Sequence, residues 1–233
     1  MAAASVVHAA ARNNAEWCDA LCRTHGISGH FDTNSWTSPK RTPPFYPDAI
    51  TLAAGVSPAQ LLAQIDHGAG CSVKDSFADL DLTDEGFRVL FRGEWLLAKR
   101  ADAPQLPSRW WVVETGEQLA EWESAWDVSG STSGLFRPSL LASSTIAVLA
   151  RGSEGIIAGA VANRSTTVIG LSNVFHRHGD LESAWQGAAS AAQARWGEMP
   201  VVGYESGAAL DAAHGGGFGS VGELVVWVKP GIT

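Results

Sequence analysis

The stretch Thr166-Thr-Val-Ile-Gly-Leu-Ser-Asn-Val-Phe175, followed by His176-Arg-His-Gly-Asp180, decides the fold of this chain. The first segment is rich in β-branched and apolar residues, as is typical of a buried strand. The second is a polar turn with a glycine near its centre. A helix is predicted from Leu181 to Trp196, with Asp180 as its N-cap and Gly197 as its C-terminal stop. Its apolar stripe consists of Leu181, Trp185, Ala188, Ala192 and Trp196.

The segments on either side of this unit predict alternating strands and helices. Downstream, Pro200–Tyr204 has the pattern of a strand, Ala208–His214 that of a short helix, and Gly219–Lys229 that of a final strand. Upstream, the pattern that starts at Trp110 predicts a strand, a helix and then three strands, the first of them over Ser139–Ala150. The predicted order from Trp110 is therefore strand, helix, three strands, helix, strand, helix, strand.

This order resembles that of the GCN5-related N-acetyltransferase superfamily over about residues 110–229. The resemblance implies an α/β (α+β) fold with a mixed, mainly antiparallel sheet flanked by helices. It also implies that the chain binds a small-molecule ligand, acetyl-CoA or another acyl-CoA, and transfers the acyl group to an amine. The donor-site residues that it implies are Val174, Phe175, His176, Arg177, His178, Gly179, Asp180 and Leu181.

The turn departs from the pattern of that superfamily, Arg/Gln-x-x-Gly-x-Gly/Ala. Gly179 matches the first glycine, His176 replaces the Arg or Gln, and Leu181 occupies the second small position. Asp180 adds a negative charge where the pyrophosphate would arrive, and at about 4 Å this repulsion is of the order of a few kcal/mol. The alternative is therefore a catalytically inactive ligand-binding or interaction protein that kept the fold.

The catalytic positions depart as well. The Asn and Tyr that many members carry after the fifth strand and in the following helix align with Ser206 and Ala213. The remaining candidates are Glu205 as a general base and Tyr204, a nearby phenol. A solvated Glu at a strand end is the alternative for Glu205. Asn173, on the central strand, is a candidate for the substrate pocket.

The first hundred residues predict an N-terminal α/β region, either a degenerate second copy or a family-specific extension. The predicted domains are residues 1–100 and 110–233, with a linker at 101–109. A long irregular stretch with several aromatic residues is expected from Ile27 to Tyr46. It either carries Trp36 to the substrate pocket, near the strand ends at Phe175 and Tyr204, or closes the core of its own domain.

Composition limits the other classes of function. The net charge of −8 and the pI near 5.3 argue against a nucleic-acid binder, because such affinity comes from Lys and Arg. No apolar run approaches the roughly 20 residues needed to span a membrane, and the N-terminus lacks the features of a secretory signal. We expect a cytoplasmic monomer or homodimer with no membrane partner.

The three cysteines are expected to be buried thiols. Cys18 and Cys22 lie four residues apart on a helix predicted over residues 5–25 and share an apolar face. The alternative is a metal site in which His25 and His30 join them, but the segments of a zinc finger are missing around that spacing. We expect no metal.

Overall fold

The computed structural model describes residues 3–98 and 109–231. By their contacts they form two compact units. Unit 1 comprises the described residues within 1–95 and 221–233, and unit 2 comprises those within 96–220. The predicted linker at 101–109 lies outside the described residues except for Arg109.

Unit 1 begins with a long helix and continues with short strands. Its elements are α1 (Ala3–Thr24), β1 (His30–Phe31), β2 (Ser35–Thr37), β3 (Ala49–Thr51), α2 (Pro58–Leu62), β4 (Ser72–Asp75), most of β5 (Arg88–Ala98) and the end of the last strand of the chain, Phe218–Val228. β1, β2 and β3 pair antiparallel, β3 and β4 pair parallel, and the last strand pairs antiparallel with β4.

Unit 2 has the order of elements that the sequence predicts from Trp110. Its elements are β6 (Trp110–Val112), α3 (Gly116–Trp126), a 3-10 helix (Pro138–Ala142), β7 (Ile146–Arg151), β8 (Ala158–Arg164), β9 (Ile169–His176), α4 (Leu181–Trp196), β10 (Val201–Glu205) and α5 (Gly207–Gly215), and the last strand, β11 (Phe218–Val228), starts in it. The strand expected from Ser139 is wrong in its first part, because the 3-10 helix occupies that segment.

The sheet of unit 2 is mixed and mainly antiparallel, as predicted. β6, β7, β8 and β9 pair antiparallel in that order, and β10 pairs parallel with β9 after the crossover through α4. The inner face of α4 is mostly alanine, which lets the helix lie close to the sheet. At Gly187 the approach is so close that a Cβ atom would lie 2.4 Å from Nε1 of Trp110.

The sequence predicts an irregular stretch over residues 27–46. This prediction is wrong in part, because the stretch contains the short hairpin of β1 and β2. The predicted helix at residues 5–25 is confirmed as α1.

All three cysteines are buried, as expected, and burial raises the pKa of Cys18 to about 11 and that of Cys71 to about 12. In the part of the chain that the structure describes, no helix is long and apolar enough to cross a bilayer.

Candidate functional site

β9 and β10 are paired neighbours at one end only. Val201 pairs with Ile169 and Val202 with Gly170, and the amide of Ile169 donates to the carbonyl of Pro200 at 2.9 Å. Within residues 109–231 their ladder stops there, although β9 continues to His176 and β10 to Glu205. The carboxyl ends of the two strands therefore border an opening in the sheet.

A bulge in β9 gives a physical cause for this opening. Gly159 of β8 pairs with Phe175 and Val161 with Ser172, so that one residue of β8 is opposite Asn173 and Val174. Asn173 has a φ of 53°, in the left-handed region that Asn enters more readily than most residues. A bulge bends the strand that carries it and increases its twist. It therefore changes the direction of β9 beyond its last pair with β10.

The side chains beyond the bulge pack into the protein. Val174 contacts the alanine-rich core beneath α4, and Leu181 packs against the same core. The ring of Phe175 lies edge-on to Trp122 of α3, with 5.3 Å between the ring centroids. The side chains of these three predicted donor-site residues are therefore engaged in packing, and only their backbone groups remain as candidates for contact with a ligand.

The turn after β9 leads directly into α4, as the sequence predicts. Asp180 is the N-cap, and its carboxylate accepts hydrogen bonds from the amide of Ser183 at 3.2 Å and from its hydroxyl at 2.6 Å. These bonds, led by that of the hydroxyl, lower the pKa of Asp180. Gly179 has a φ of 84°, and a Cβ there would meet no atom within 4 Å. Glycine is thus required by the backbone conformation and not by crowding.

His176 uses its ring to hold this turn. Its Nδ1 accepts hydrogen bonds from the amides of His178 at 3.2 Å and Asp180 at 3.3 Å. An imidazole nitrogen accepts only when it carries no proton, so this geometry requires neutral His176 with the proton on Nε2. Partial burial lowers the pKa of His176, and Arg151 and His178 act in the same direction, against the charge of Asp180.

Arg151 supplies a positive charge at this turn that sequence reasoning missed. It ends β7, and its Nη1 donates to Oγ of Ser183 at 3.0 Å. Arg177 is exposed in the turn, and its amide donates to the carbonyl of Ile157 at 2.8 Å. Arg151 lies far from the turn in sequence, and only the pairing of β7, β8 and β9 brings the two together. A basic residue at the end of a predicted strand was the one available signal.

The candidate catalytic residues lie at the end of β10. Tyr204 and Glu205 are half-buried and follow the last residue that pairs with β9. Because neighbouring residues of a strand point to opposite faces, the phenol and the carboxylate lie on different sides of the sheet. Asn173 is half-buried on the facing strand, at the bulge.

Trp36 has no free surface for a ligand. It lies in β2, its side chain is completely buried, and its Nε1 donates to Asp19 of α1 at 3.1 Å. A Cβ atom at Gly29 would lie 2.2 Å from the same Nε1, so the indole is closely packed on that side as well. Trp36 therefore belongs to the core of its own unit, as the alternative predicts. Its burial does not fit the expectation that it lines a substrate pocket.

A buried tryptophan of α4 packs closely against β10. A Cβ atom at Gly203 would lie 2.8 Å from Cη2 of Trp185, so β10 needs glycine directly after its last paired residue. Trp185 is buried, and its Nε1 has no hydrogen-bond acceptor among the residues that the structure describes. An unpaired buried donor of this kind costs free energy in the folded protein.

A cavity of about 750 Å³ lies elsewhere in unit 2, along the C-terminal half of α4. Its wall includes Ala189, Met199 and Phe218 and contains none of the residues predicted from the sequence. Among the described residues that line it, only Glu198 carries a charged side chain. A diphosphate needs cations or backbone amides, so the turn before α4 suits such a ligand better than this cavity does.

Comparison with solved structures shows which known fold this is. A GCN5-related N-acetyltransferase from Kribbella flavida matches with a TM-score of 0.63 and 16% identity, over 96% of each chain. A putative acetyltransferase of the GNAT family from Novosphingobium aromaticivorans matches with a TM-score of 0.58 and 12% identity, over 92% of this chain and 96% of that one. A GCN5-related N-acetyltransferase-like protein from Streptococcus suis has a TM-score of 0.50, 14% identity, and coverage of 97% and 98%.

The chain therefore has the fold of the GCN5-related N-acetyltransferases, as its resemblance to that superfamily predicts. The likeness extends over nearly the whole chain and is not confined to residues 110–229. No protein-family model and no curated protein matches the sequence. At these identities the likeness concerns the fold, and the chemistry has to be argued from the residues of this chain.

Proposed function

We propose that this protein is an N-acyltransferase that takes an acyl group from acyl-CoA and transfers it to an amine. The observation that carries the proposal is the opening between β9 and β10, which begins after the pair of Gly170 and Val202, passes the bulge at Asn173 and leads to the turn and the N-terminus of α4. One fold feature thus brings together an extended slot, a glycine turn and a helix N-terminus. A long thioester would lie in the slot, and its diphosphate group would lie at the turn and the helix N-terminus.

The backbone supplies most of the donor site in this proposal. The amides from His178 to Glu182 lie at the turn and the first residues of α4, where the positive end of the helix dipole favours an anion. Arg151 and Arg177 add positive charge. Beyond the bulge, the backbone of Val174 and Phe175 has no partner in β10 among the described residues and is available to the pantetheine arm.

The reaction forms a C–N bond between the amine and the thioester carbonyl carbon and breaks the C–S bond. The amine loses a proton, and the CoA thiolate takes one up. An opening through a sheet has a mouth on each face, and Tyr204 and Glu205 point to opposite faces. We assign proton removal from the amine to Glu205 and protonation of the thiolate to Tyr204.

The test is release of the free CoA thiol from acetyl-CoA in the presence of a panel of amines, including a polyamine, an amino-acid amide and a lysine peptide. We expect Glu205→Gln to lower kcat by at least about tenfold and to remove the lower limb of the pH profile. Tyr204→Phe should lower kcat and leave that limb in place. Glu121→Gln, an exposed change on α3, is the matched control. Equal rates in all four proteins would contradict the assignment.

A binding protein without catalysis is the second candidate, and one observation favours it. In the turn, the amides of His178 and Asp180 are bound by His176, and that of Ser183 by Asp180. The groups that would hold a diphosphate are thus satisfied internally. Binding of acetyl-CoA without thiol release for any amine would favour this candidate over the enzyme.

A further inference from the structure

The ring of His176 holds two backbone amides that an anion would otherwise use. The distances from Nδ1 to the amide nitrogens of His178 and Asp180 are 3.2 and 3.3 Å. Both amides belong to the segment between β9 and α4, where the proposed function places the diphosphate. The same donors cannot serve the imidazole and a phosphate oxygen at full strength.

The ring is positioned to do this by the sheet. His176 is the last residue of β9 and pairs with Ala158 of β8, so its backbone is fixed before the turn begins. The next amide, that of Arg177, is bound to Ile157 and takes no part in the turn. The acceptor atom is therefore held beside the turn by the strand, and not by the ligand site itself.

We propose that His176 sets the affinity of the turn for anions by competing for its amides, so that the diphosphate of the acyl donor must displace the imidazole to bind. This inference rests on the proposed function, because it concerns the same site. It makes His176 a specificity-determining and positioning residue with no part in the chemical step.

Protonation reverses the effect of the ring. A protonated Nδ1 cannot accept, so the two amides become available and the ring becomes a cation. The charged and titratable groups around it are Asp180 and His178 of the turn and Arg151 of β7. Asp180, whose pKa lies below its ordinary value, stays ionised above pH 5 and does not change over the range of interest.

Three forms of residue 176 separate the competing acceptor from the charge. In His176→Ala the acceptor is lost. In His176→Asn, Oδ1 takes the approximate place of Nδ1 but cannot be protonated. We measure the Kd of CoA by calorimetry between pH 5.5 and 8. At pH 8 we expect His176→Ala to bind about fivefold more tightly than the wild type, and His176→Asn to bind like the wild type.

As the pH falls, the wild type should gain affinity relative to His176→Asn, because only the wild type releases the amides. The ratio of the two Kd values cancels the titration of the CoA phosphates themselves. His178→Ala keeps the backbone amide and removes the neighbouring imidazole; it should retain a pH dependence, with the midpoint moved upward because His178 lowers the pKa of His176. Equal affinities of the wild type and His176→Ala at pH 8, or a constant ratio of the wild type to His176→Asn, would overturn the inference.

A measurement without CoA separates this inference from the proposed function. In NMR spectra of the free protein, the amide protons of His178 and Asp180 should shift with the same midpoint as the ring of His176, and His176→Asn should abolish that titration. If CoA binds but these amides do not follow His176, the inference fails and the proposed function stands. If the amides follow His176 but neither CoA nor inorganic pyrophosphate binds any variant, both fail.

Discussion

Asp180 has opposing effects at the start of α4. As the N-cap it binds the amide and hydroxyl of Ser183, and as a carboxylate it repels an incoming diphosphate. We predict that Asp180→Gly tightens the binding of CoA, measured by calorimetry. The stability cost should be only a few tenths of a kcal/mol, because glycine is tolerated at an N-cap.

The matched variant for this prediction is Asp180→Asn, which keeps an N-cap acceptor and removes the charge. Tighter binding in both variants would assign the effect to charge, and tighter binding in Asp180→Gly alone would assign it to the backbone. Unchanged or weaker affinity in both would show that Asp180 does not oppose the ligand.

At the scale of the element, the bulge in β9 depends on a residue that accepts a positive φ. Asn173 is at 53°, a conformation that a β-branched residue adopts only under strain. We predict that Asn173→Val is less stable than Asn173→Gly by about 1–3 kcal/mol in urea unfolding. Equal stabilities would mean that the strand can lose its bulge without cost.

The close approach of α4 to β10 makes a second prediction. Gly203→Ala places a Cβ atom 2.8 Å from Trp185, and overpacking of this kind costs about 1–3 kcal/mol. Gly231→Ala is the control, since a Cβ there meets no atom within 4 Å. The measurement is the free energy of unfolding in urea. A loss no larger than that of the control would show that Trp185 moves aside freely.

These elements show what the sequence could predict. α4 was predicted with its observed bounds because an N-cap Asp180, an apolar stripe and a terminal Gly197 agree locally. The bulge was missed because a positive φ at Asn173 depends on register against β8, which no local pattern encodes. The β1–β2 hairpin was missed because strands of two and three residues are too short to show a period.

At the scale of the whole molecule, the two units share a pattern of connections. In unit 1, three antiparallel strands are followed by α2 and a strand parallel to the third, β4. In unit 2, the same relation holds for β7 to β9, α4 and β10. This supports the proposal that the N-terminal region is a degenerate second copy. Its helix α2 has only five residues, too few to form the anion site that we propose at α4.

Acid should destabilise the protein by protonating carboxylates that accept hydrogen bonds in their charged form in the folded state. Asp127 accepts from Ser129, Ser131 and Thr132, and these bonds hold its pKa below the ordinary value. Such a group stabilises the fold above its unfolded pKa of about 3.9 and loses this contribution as the pH falls through its folded pKa. We predict that the melting temperature falls below about pH 4, and that it falls less steeply in Asp127→Asn. Parallel curves for the two proteins would contradict this account.

The central claim is that the opening between β9 and β10 binds an acyl-CoA. The most direct test is the melting temperature of the wild-type protein with increasing acetyl-CoA, with ATP at equal concentration as the control for a general phosphate effect. We expect a rise specific to acetyl-CoA, since a ligand at 100 times its Kd stabilises the folded protein by about 2.7 kcal/mol. No shift at millimolar acetyl-CoA, or an equal shift with ATP, would contradict it.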